Sequence, residues 1–312
     1  MGRQRGKTVR AILTGVYCLL LVVGTGTALA QEAVLKPFVL GWKGPGEFAQ
    51  KVEATKAALA QRGFAVVGSY TPYPNTAIIA VTNDELKANA ARSEHGGFGV
   101  AQRVAVTKMK DEVQVTYTNP TYLANAYRMA GELKDTTAKL QAALGRIDEY
   151  GARGLTPSQL RKYHYTFGME YFDEPNTLAA YGSFEEAVKA VEAGLGAGKQ
   201  GVTKVYRVDV PGKKEALFGV AMKGEGDAGK FMDDKYIMSE IDFKDVRSSA
   251  HLPYDILVSD GKVYALYARF RIAISFPDLS MMGANSFMNI MKSPEAIRKA
   301  LALASGGKED NR

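Results

Sequence analysis

Apolar and polar positions along the chain alternate between two periods, and the order of those periods repeats once. GEFAQKVEATKAAL (46–59) and GSFEEAVKAVEAGL (182–195) each carry one apolar stripe at helical spacing, with Phe48, Val52 and Leu59 facing Phe184, Val188 and Leu195. A β-rich stretch follows each helix: GFAVVGSY (63–70) and GVTKVYRVDV (201–210). AIIAVT (77–82) and ALFGVA (216–221) come next at nearly the same offset. Each copy then shows a longer hairpin. The first, 103–118, turns at Lys110-Asp111. The second, 254–275, turns at Asp260-Gly261, a strong two-residue hairpin signal. A proline and a helical pattern close both copies, at 119–144 and 276–304. With opening strands at 37–42 and 177–181, each half reads strand, helix, four strands, helix.

The offset between the copies drifts from 136 to 157 residues, so the pattern is a duplication with insertions and not a solenoid. The main insertion, 224–250, predicts a loop with a short helix. Between the copies, Thr156 and Pro157 mark a helix start. YHYTFGMEYF (163–172) is too aromatic for a loose linker and is expected to pack at the junction. The expected fold is α+β: two tandem β-α-β4-α domains at 31–145 and 177–305, each a curved antiparallel sheet with helices on one face. An ordered connector (146–176) joins them, and 306–312 form a tail.

The first copy resembles the domain-of-unknown-function family 302 over roughly residues 35–145, through its F-x-x-x-V, the Arg62-Gly63-Phe64 step, the strands and the proline-initiated helix. The second is more diverged, with Gly198 and Gln200-Gly201 in place of that step. The resemblance implies the β-α-β4-α fold, similar in topology to the TATA-binding-protein fold. It implies no agreed activity and supplies no catalytic residues.

The N-terminus changes the reading of charge. Residues 1–10 hold four basic residues and no acid. An apolar run follows, and TGTALA ends in an A-x-A pattern, which predicts a secretory signal peptide over 1–30. Its loss removes four of the 40 Lys+Arg and none of the 33 Asp+Glu, taking the net charge from +7 to +3. A near-balanced exported protein gives no electrostatic footprint for nucleic acid. Cys18 is the sole cysteine and lies in the leader, so the mature chain is expected to use no disulfide, thiol nucleophile or cysteine metal site. No later segment has the apolar length to span a bilayer. The expected location is the periplasm or the exterior.

Candidate chemistry is sparse. His95, His164 and His251 form no i, i+3 or i, i+4 pair, so no metal site is expected, and no cofactor motif occurs. Met281, Met282, Met288 and Met291 suit Cu(I) as thioethers, but Phe287, Ile290 and Met291 share a helical stripe, and core filler is the expectation. No nucleophile elbow or phosphate loop occurs, and Asp233-Asp234 reads as a surface carboxylate pair.

The most informative stretch is KVYALYARFRIAISFP (262–277). Read as a strand, it puts Tyr264, Leu266, Ala268, Phe270, Ile272, Ile274 and Phe276 on a core face. Tyr267, Arg269 and Arg271 then line the open sheet face, where two guanidinium forks suit an anionic or aromatic ligand. His251 and Tyr254 would rim that face. In the first copy the matching positions, Gln114, Thr116 and Thr118, are polar and uncharged. In YTNPTYLANAYR (117–128), Tyr117 continues a core face and Tyr127 a helix stripe. Tyr122 and Arg128 have no such account and stand as further candidates. The functional expectation is an exported, non-catalytic binding or accessory protein. It would use a sheet face or the interdomain cleft for an unknown small ligand or protein partner. A periplasmic enzyme with a cleft between the copies and a metal or redox accessory protein are the alternatives.

Overall fold

A computed structural model describes residues 1–2, 32–166 and 168–309. Residues 3–31, where a signal peptide was expected, residue 167 and residues 310–312 lie outside the described residues. Ala33–Arg312 form one compact unit.

The first half runs β1 (Phe38–Pro45), α1 (Phe48–Gln61), β2 (Ala65–Tyr73), β3 (Thr76–Thr82), α2 (Asp84–Ala91), β4 (Gln102–Met109), β5 (Glu112–Thr118), α3 (Pro120–Ala126) and α4 (Lys134–Leu144). β6 (Asp148–Tyr150) and α5 (Pro157–Arg161) follow. The second half runs β7 (Asn176–Ala180), α6 (Phe184–Gly196), β8 (Val202–Asp209), β9 (Glu215–Met222), α7 (Gly226–Gly229), α8 (Asp234–Ile241), β10 (Tyr254–Ser259), β11 (Lys262–Ala265), α9 (Ala268–Ser275) and α10 (Ser293–Ala304).

The sheets are ordered β2-β3-β4-β5-β1-β6 and β7-β11-β10-β9-β8. Without β6 these are the same order: two hairpins side by side, with the opening strand added beside the last one. All pairs are antiparallel. The repeated α+β plan read from the sequence is therefore present in both halves. Both predicted hairpin turns form as two-residue loops, Met109 pairing with Glu112 and Ser259 with Lys262. Lys110 (φ 51°) and Asp260 (φ 49°) supply the positive φ that matches strand twist.

Three local readings are corrected. The first is the long strand over 262–275, which ends at Ala265; residues 268–275 are helical. Ala268 and Ile272 belong to one hydrophobic cluster, Phe270 and Ile274 to another. Two apolar faces, each with i, i+4 spacing, imitate the alternation of a strand in a short buried run. Second, the closing helix of the first half breaks between α3 and α4, where Arg128 (φ 47°) and Leu133 (φ 56°) are left-handed. Third, the methionines of 281–291 are not core filler. Met281, Met282, Met288 and Met291 are all exposed, and only Ile290 of that stripe is fully buried.

Each sheet carries helices on one face. In the first half, Ile79, Val81, Val104, Val106, Val113 and Val115 meet Leu59, Leu140 and Leu144 of α1 and α4. In the second, Phe218, Val220, Ile256 and Val258 meet Val191 and Leu195 of α6 and Ile297 and Leu301 of α10. The opposite faces are not open. Ile78 and Ala105 join the core of the second half, and Leu217 and Leu257 join a cluster with Phe98, Tyr122 and Tyr127 of the first. Thr76, Thr107, Gln114, Thr116 and Thr118 are all buried.

The junction has a reciprocal design. In each half a 3-10 turn precedes the fourth strand, and each turn lies on the other half's sheet. Gly97 of the first turn (Gly96–Gly99) donates its N–H to Glu215 Oε2 on β9 at 3.1 Å. A Cβ there would stand 2.3 Å from Leu257 Cδ1, so any larger residue would force the buried Leu257 side chain to shift. The second turn (Ser249–His251) lies over β4 and β5, with Gln114 Nε2 donating to Asp245 O at 2.7 Å just before it. The edge strands meet too: a Cβ on Gly68 of β2 would stand 2.4 Å from Val205 O of β8. The aromatic connector packs where expected. Phe172 is buried, stacks on Tyr127 with centroids 5.3 Å apart, and lies 6.4 Å from Phe270.

Candidate functional site

The residues singled out in 262–277 separate in space because α9 is a helix. Arg271 is 3% exposed and points into the junction. Its Nη1 donates to Asp255 Oδ2, and its Nη2 donates to the carbonyls of His251 and Pro253 (3.2 Å for the latter). Arg103 of β4 donates to the same carboxylate oxygen, while Tyr206 donates to Asp255 Oδ1 at 3.0 Å. Burial is the strongest single influence on the Arg103 guanidinium and pulls it down, but Asp255, Tyr206 and Tyr127 together outweigh it and the net shift is upward. Arg103 and Asp255 occupy equivalent strands, the fourth of each half, so the ion pair joins matching elements of the repeat. His251 and Tyr254 belong to the same buried group: His251 Nδ1 lies 2.9 Å from Ser275 Oγ, and Nε2 lies 3.3 Å from Tyr254 Oη. Burial, reinforced by Arg271 and Arg103, drives the His251 pKa well below its usual value. The structure therefore joins Arg271, His251 and Tyr254, but inside the protein and not on an open face.

Tyr267 and Arg269 remain near the surface. Arg269 Nε donates to Glu170 Oε2 at 3.1 Å, and its guanidinium carbon sits 4.9 Å from the Tyr267 ring centre. They line a pocket of about 370 Å³ with Asn176, Glu170, Glu295 and Arg298. Two arginines there face two glutamates, and the Arg269–Glu170 and Arg298–Glu295 pairs match the charges. Tyr122 is fully buried, its hydroxyl donating to Ile274 O at 2.7 Å, which ties α3 to α9. Arg128 pairs with Asp173 at 2.5 Å. Both residues thus have structural partners that the sequence did not show.

The histidines keep separate company: His95 packs edge-on against Tyr264, and His164 lies 4.5 Å from Tyr171 and bonds Thr166 O. Among the described residues, no group of three or more His, Cys, Asp or Glu could hold a metal ion, and no helix is long and apolar enough to cross a membrane.

A concave site with convergent polar groups lies in the cleft between the halves. It measures about 310 Å³. The first half contributes the β2–β3 turn (Tyr73, Pro74, Asn75, Thr76) and the end of β4 (Thr107, Lys108, Met109); the insertion contributes Lys235, Met238, Ser239, Asp242, Arg247 and Ser249. A hydrogen-bond chain crosses its floor. Tyr73 donates to Ser249 Oγ at 3.0 Å, and Ser249 donates to Asp242 Oδ2 at 2.9 Å. Ser248 N–H donates to Asp242 Oδ1 at 2.7 Å. Burial pushes the Asp242 carboxyl up to about 6, against the opposing pull of these bonds. Arg247 is held by donation to Asp242 O and by Nε to Met109 Sδ at 3.3 Å. Lys108 is half-buried and Lys235 exposed. Three cations thus face one carboxyl that burial holds partly protonated near neutral pH. Thr107 is 4% exposed, lines the cleft, and its Oγ1 has no hydrogen-bond partner among the described residues. Buried polar atoms are normally bonded, so an orphan in a cleft marks a place where a ligand or water completes the set.

A second carboxyl lies close by. Asp234 is buried beside β2, with Oδ2 accepting from Met222 N–H at 3.1 Å and Tyr70 at 3.2 Å. Burial pushes it up to about 7. The Asp233-Asp234 pair is thus divided by role, correcting the surface reading. Asp233 caps α8, accepting from Tyr236 N–H at 2.8 Å, and Asp234 turns inward. None of the cleft residues stood out in the sequence. The one available signal was that the insertion carries six of them, since a segment absent from the first copy has no role in the shared plan.

No protein-family model, curated protein or solved structure matches the chain.

Proposed function

We propose that the chain is an exported, non-catalytic binding protein that holds a small anionic molecule in the cleft between its halves. The observation that carries this is the Thr107 hydroxyl, buried without a partner in a cleft where Lys108, Lys235 and Arg247 face a single carboxyl. Arginine and lysine supply the attraction, with donors suited to carboxylate, phosphate or sulfonate oxygens. Asn75, Thr107 and Ser239 supply the neutral hydrogen bonds that fix orientation. Burial of both inner sheet faces supports the cleft over a sheet face as the site.

A panel of small carboxylates, phosphates and sulfonates, screened by thermal shift, tests the reading. One class should raise Tm by roughly 5 °C at about a hundredfold excess over Kd. Thr107→Val is the discriminating variant. It removes an unsatisfied hydroxyl at constant shape, so stability without ligand should hold or rise by about 1 kcal/mol. Ligand affinity should fall by roughly tenfold. A Thr107→Val chain that binds as tightly as wild type contradicts the assignment.

A periplasmic enzyme is the second reading, favoured by Asp242 standing near 6 at the end of the Tyr73–Ser249 chain. It requires turnover of the bound anion that Asp242→Asn abolishes while binding persists.

A further inference from the structure

A second, smaller cavity lies at the junction and shares no residue with the cleft. Arg103, Arg271, His251, Thr118, Tyr127 and Ser275 give it its polar lining. Its volume is about 10 Å³, room for a single small occupant. A halide ion is larger than water and enters if the lining side chains move outward by a few tenths of an ångström; a phosphate or sulfate is far too large.

The charges around it do not balance. Arg103 and Arg271 are 1% and 3% exposed, and both guanidinium groups stay charged in proteins. Among the described residues, Asp255 is the one carboxylate paired with either. His251 adds no charge: its two ring nitrogens are occupied by Ser275 and Tyr254, and the neighbouring guanidiniums disfavour its cationic form. One positive charge is left over in a buried site, where an uncompensated ion is strongly disfavoured. Arg103 Nε, moreover, has no hydrogen-bond partner among the described residues. Its orphan N–H is a donor of the kind a buried anion requires.

We propose that this cavity binds one small monovalent anion of the halide class, which neutralises the Arg103–Asp255–Arg271 cluster and locks the two halves together. The site is structural and independent of the ligand proposed for the cleft.

Crystals of the wild-type chain grown in bromide should show one anomalous peak in the cavity, within hydrogen-bonding distance of Arg103 Nε. In solution, Tm should rise saturably by roughly 2–4 °C as chloride or bromide replaces methanesulfonate at fixed ionic strength. Neither measurement needs a variant that fails to fold. A cavity holding only water overturns the proposal. A bromide peak without a halide-dependent Tm means binding at crystal concentration only, and overturns it equally. Because the Lys108→Ala/Lys235→Ala chain loses two of the three cleft cations but keeps this cavity, it should retain the full halide response even if its cleft binds nothing.

Discussion

Replacing Asp255 with alanine should destabilise the folded chain by about 3–5 kcal/mol, because two buried guanidinium groups lose their shared carboxylate. For a chain of this size that lowers Tm by roughly 5–10 °C. The effect is large because the geometry leaves no substitute. Both arginines bond the same Asp255 oxygen, Tyr206 bonds the other, and all three charged residues are buried. Removing Arg271 should be nearly as damaging, since its Nη2 also satisfies the carbonyls of His251 and Pro253. The other arginine read onto the open face behaves differently: Arg269→Ala should be mild, because its pair with Glu170 is partly exposed. A control separates burial cost from pairing. Arg103→Met/Asp255→Leu/Arg271→Met removes the whole cluster and should recover most of the loss, because a buried ion cluster replaced by apolar groups of similar volume is often neutral or better. Equilibrium urea unfolding of the alanine variant and the triple variant measures both. An Asp255→Ala chain within about 1 kcal/mol of wild type refutes the cluster's role.

Asp234 should make the chain lose stability as pH rises from about 4 to 7. Its folded-state pKa, about 7, stands above the ordinary 3.8. Below pH 3.8 the group is protonated in both states and its contribution is fully present. Between the two values the unfolded chain ionises first, and stability falls by about 1.4 kcal/mol per pH unit. Above 7 the loss is complete, at about 4 kcal/mol. Asp242 acts with the same sign over a narrower window that ends near 6. In Asp234→Asn the side-chain oxygen still accepts from Met222 and Tyr70, but the group no longer ionises. The variant should thus match wild type near pH 4 and exceed it by several kcal/mol near pH 8. Urea unfolding at a series of pH values reads the difference. Parallel wild-type and variant curves mean that Asp234 is not held protonated.

The repeated plan was legible because it rests on periodicity, turn chemistry and offsets that one chain displays twice. The hairpin at Asp260-Gly261, the helix start at Thr156-Pro157 and the aromatic connector were each local signals with one physical meaning. What the sequence could not show is which polar faces are covered. Gln114, Thr116 and Thr118 read as a solvated face because a polar row on one side of a sheet normally meets water. Here Gln114 and Thr116 donate to the backbone carbonyls of Asp245 and Arg247 from the other half, and Thr118 donates to Gln102 Oε1 on the neighbouring strand. The same blindness placed Arg271 outside: alternation of period two and a pair of i, i+4 stripes agree over eight residues, and only burial between two cores distinguishes them. The cleft was invisible for a different reason. Its cations come from β4 and from the insertion after β9, more than a hundred residues apart, and no short motif links Lys108 to Lys235.

The central claim is that the working site is this cleft and not a sheet face. Native mass spectrometry of the chain purified from its own compartment, beside a Lys108→Ala/Lys235→Ala chain purified in the same way, tests it most directly. The account predicts an added small-molecule mass on the wild type that leaves as an anion on activation and is absent from the double variant, with both chains folded. The same adduct on both chains, or none on a wild type whose Tm also ignores every anion tested, would contradict it.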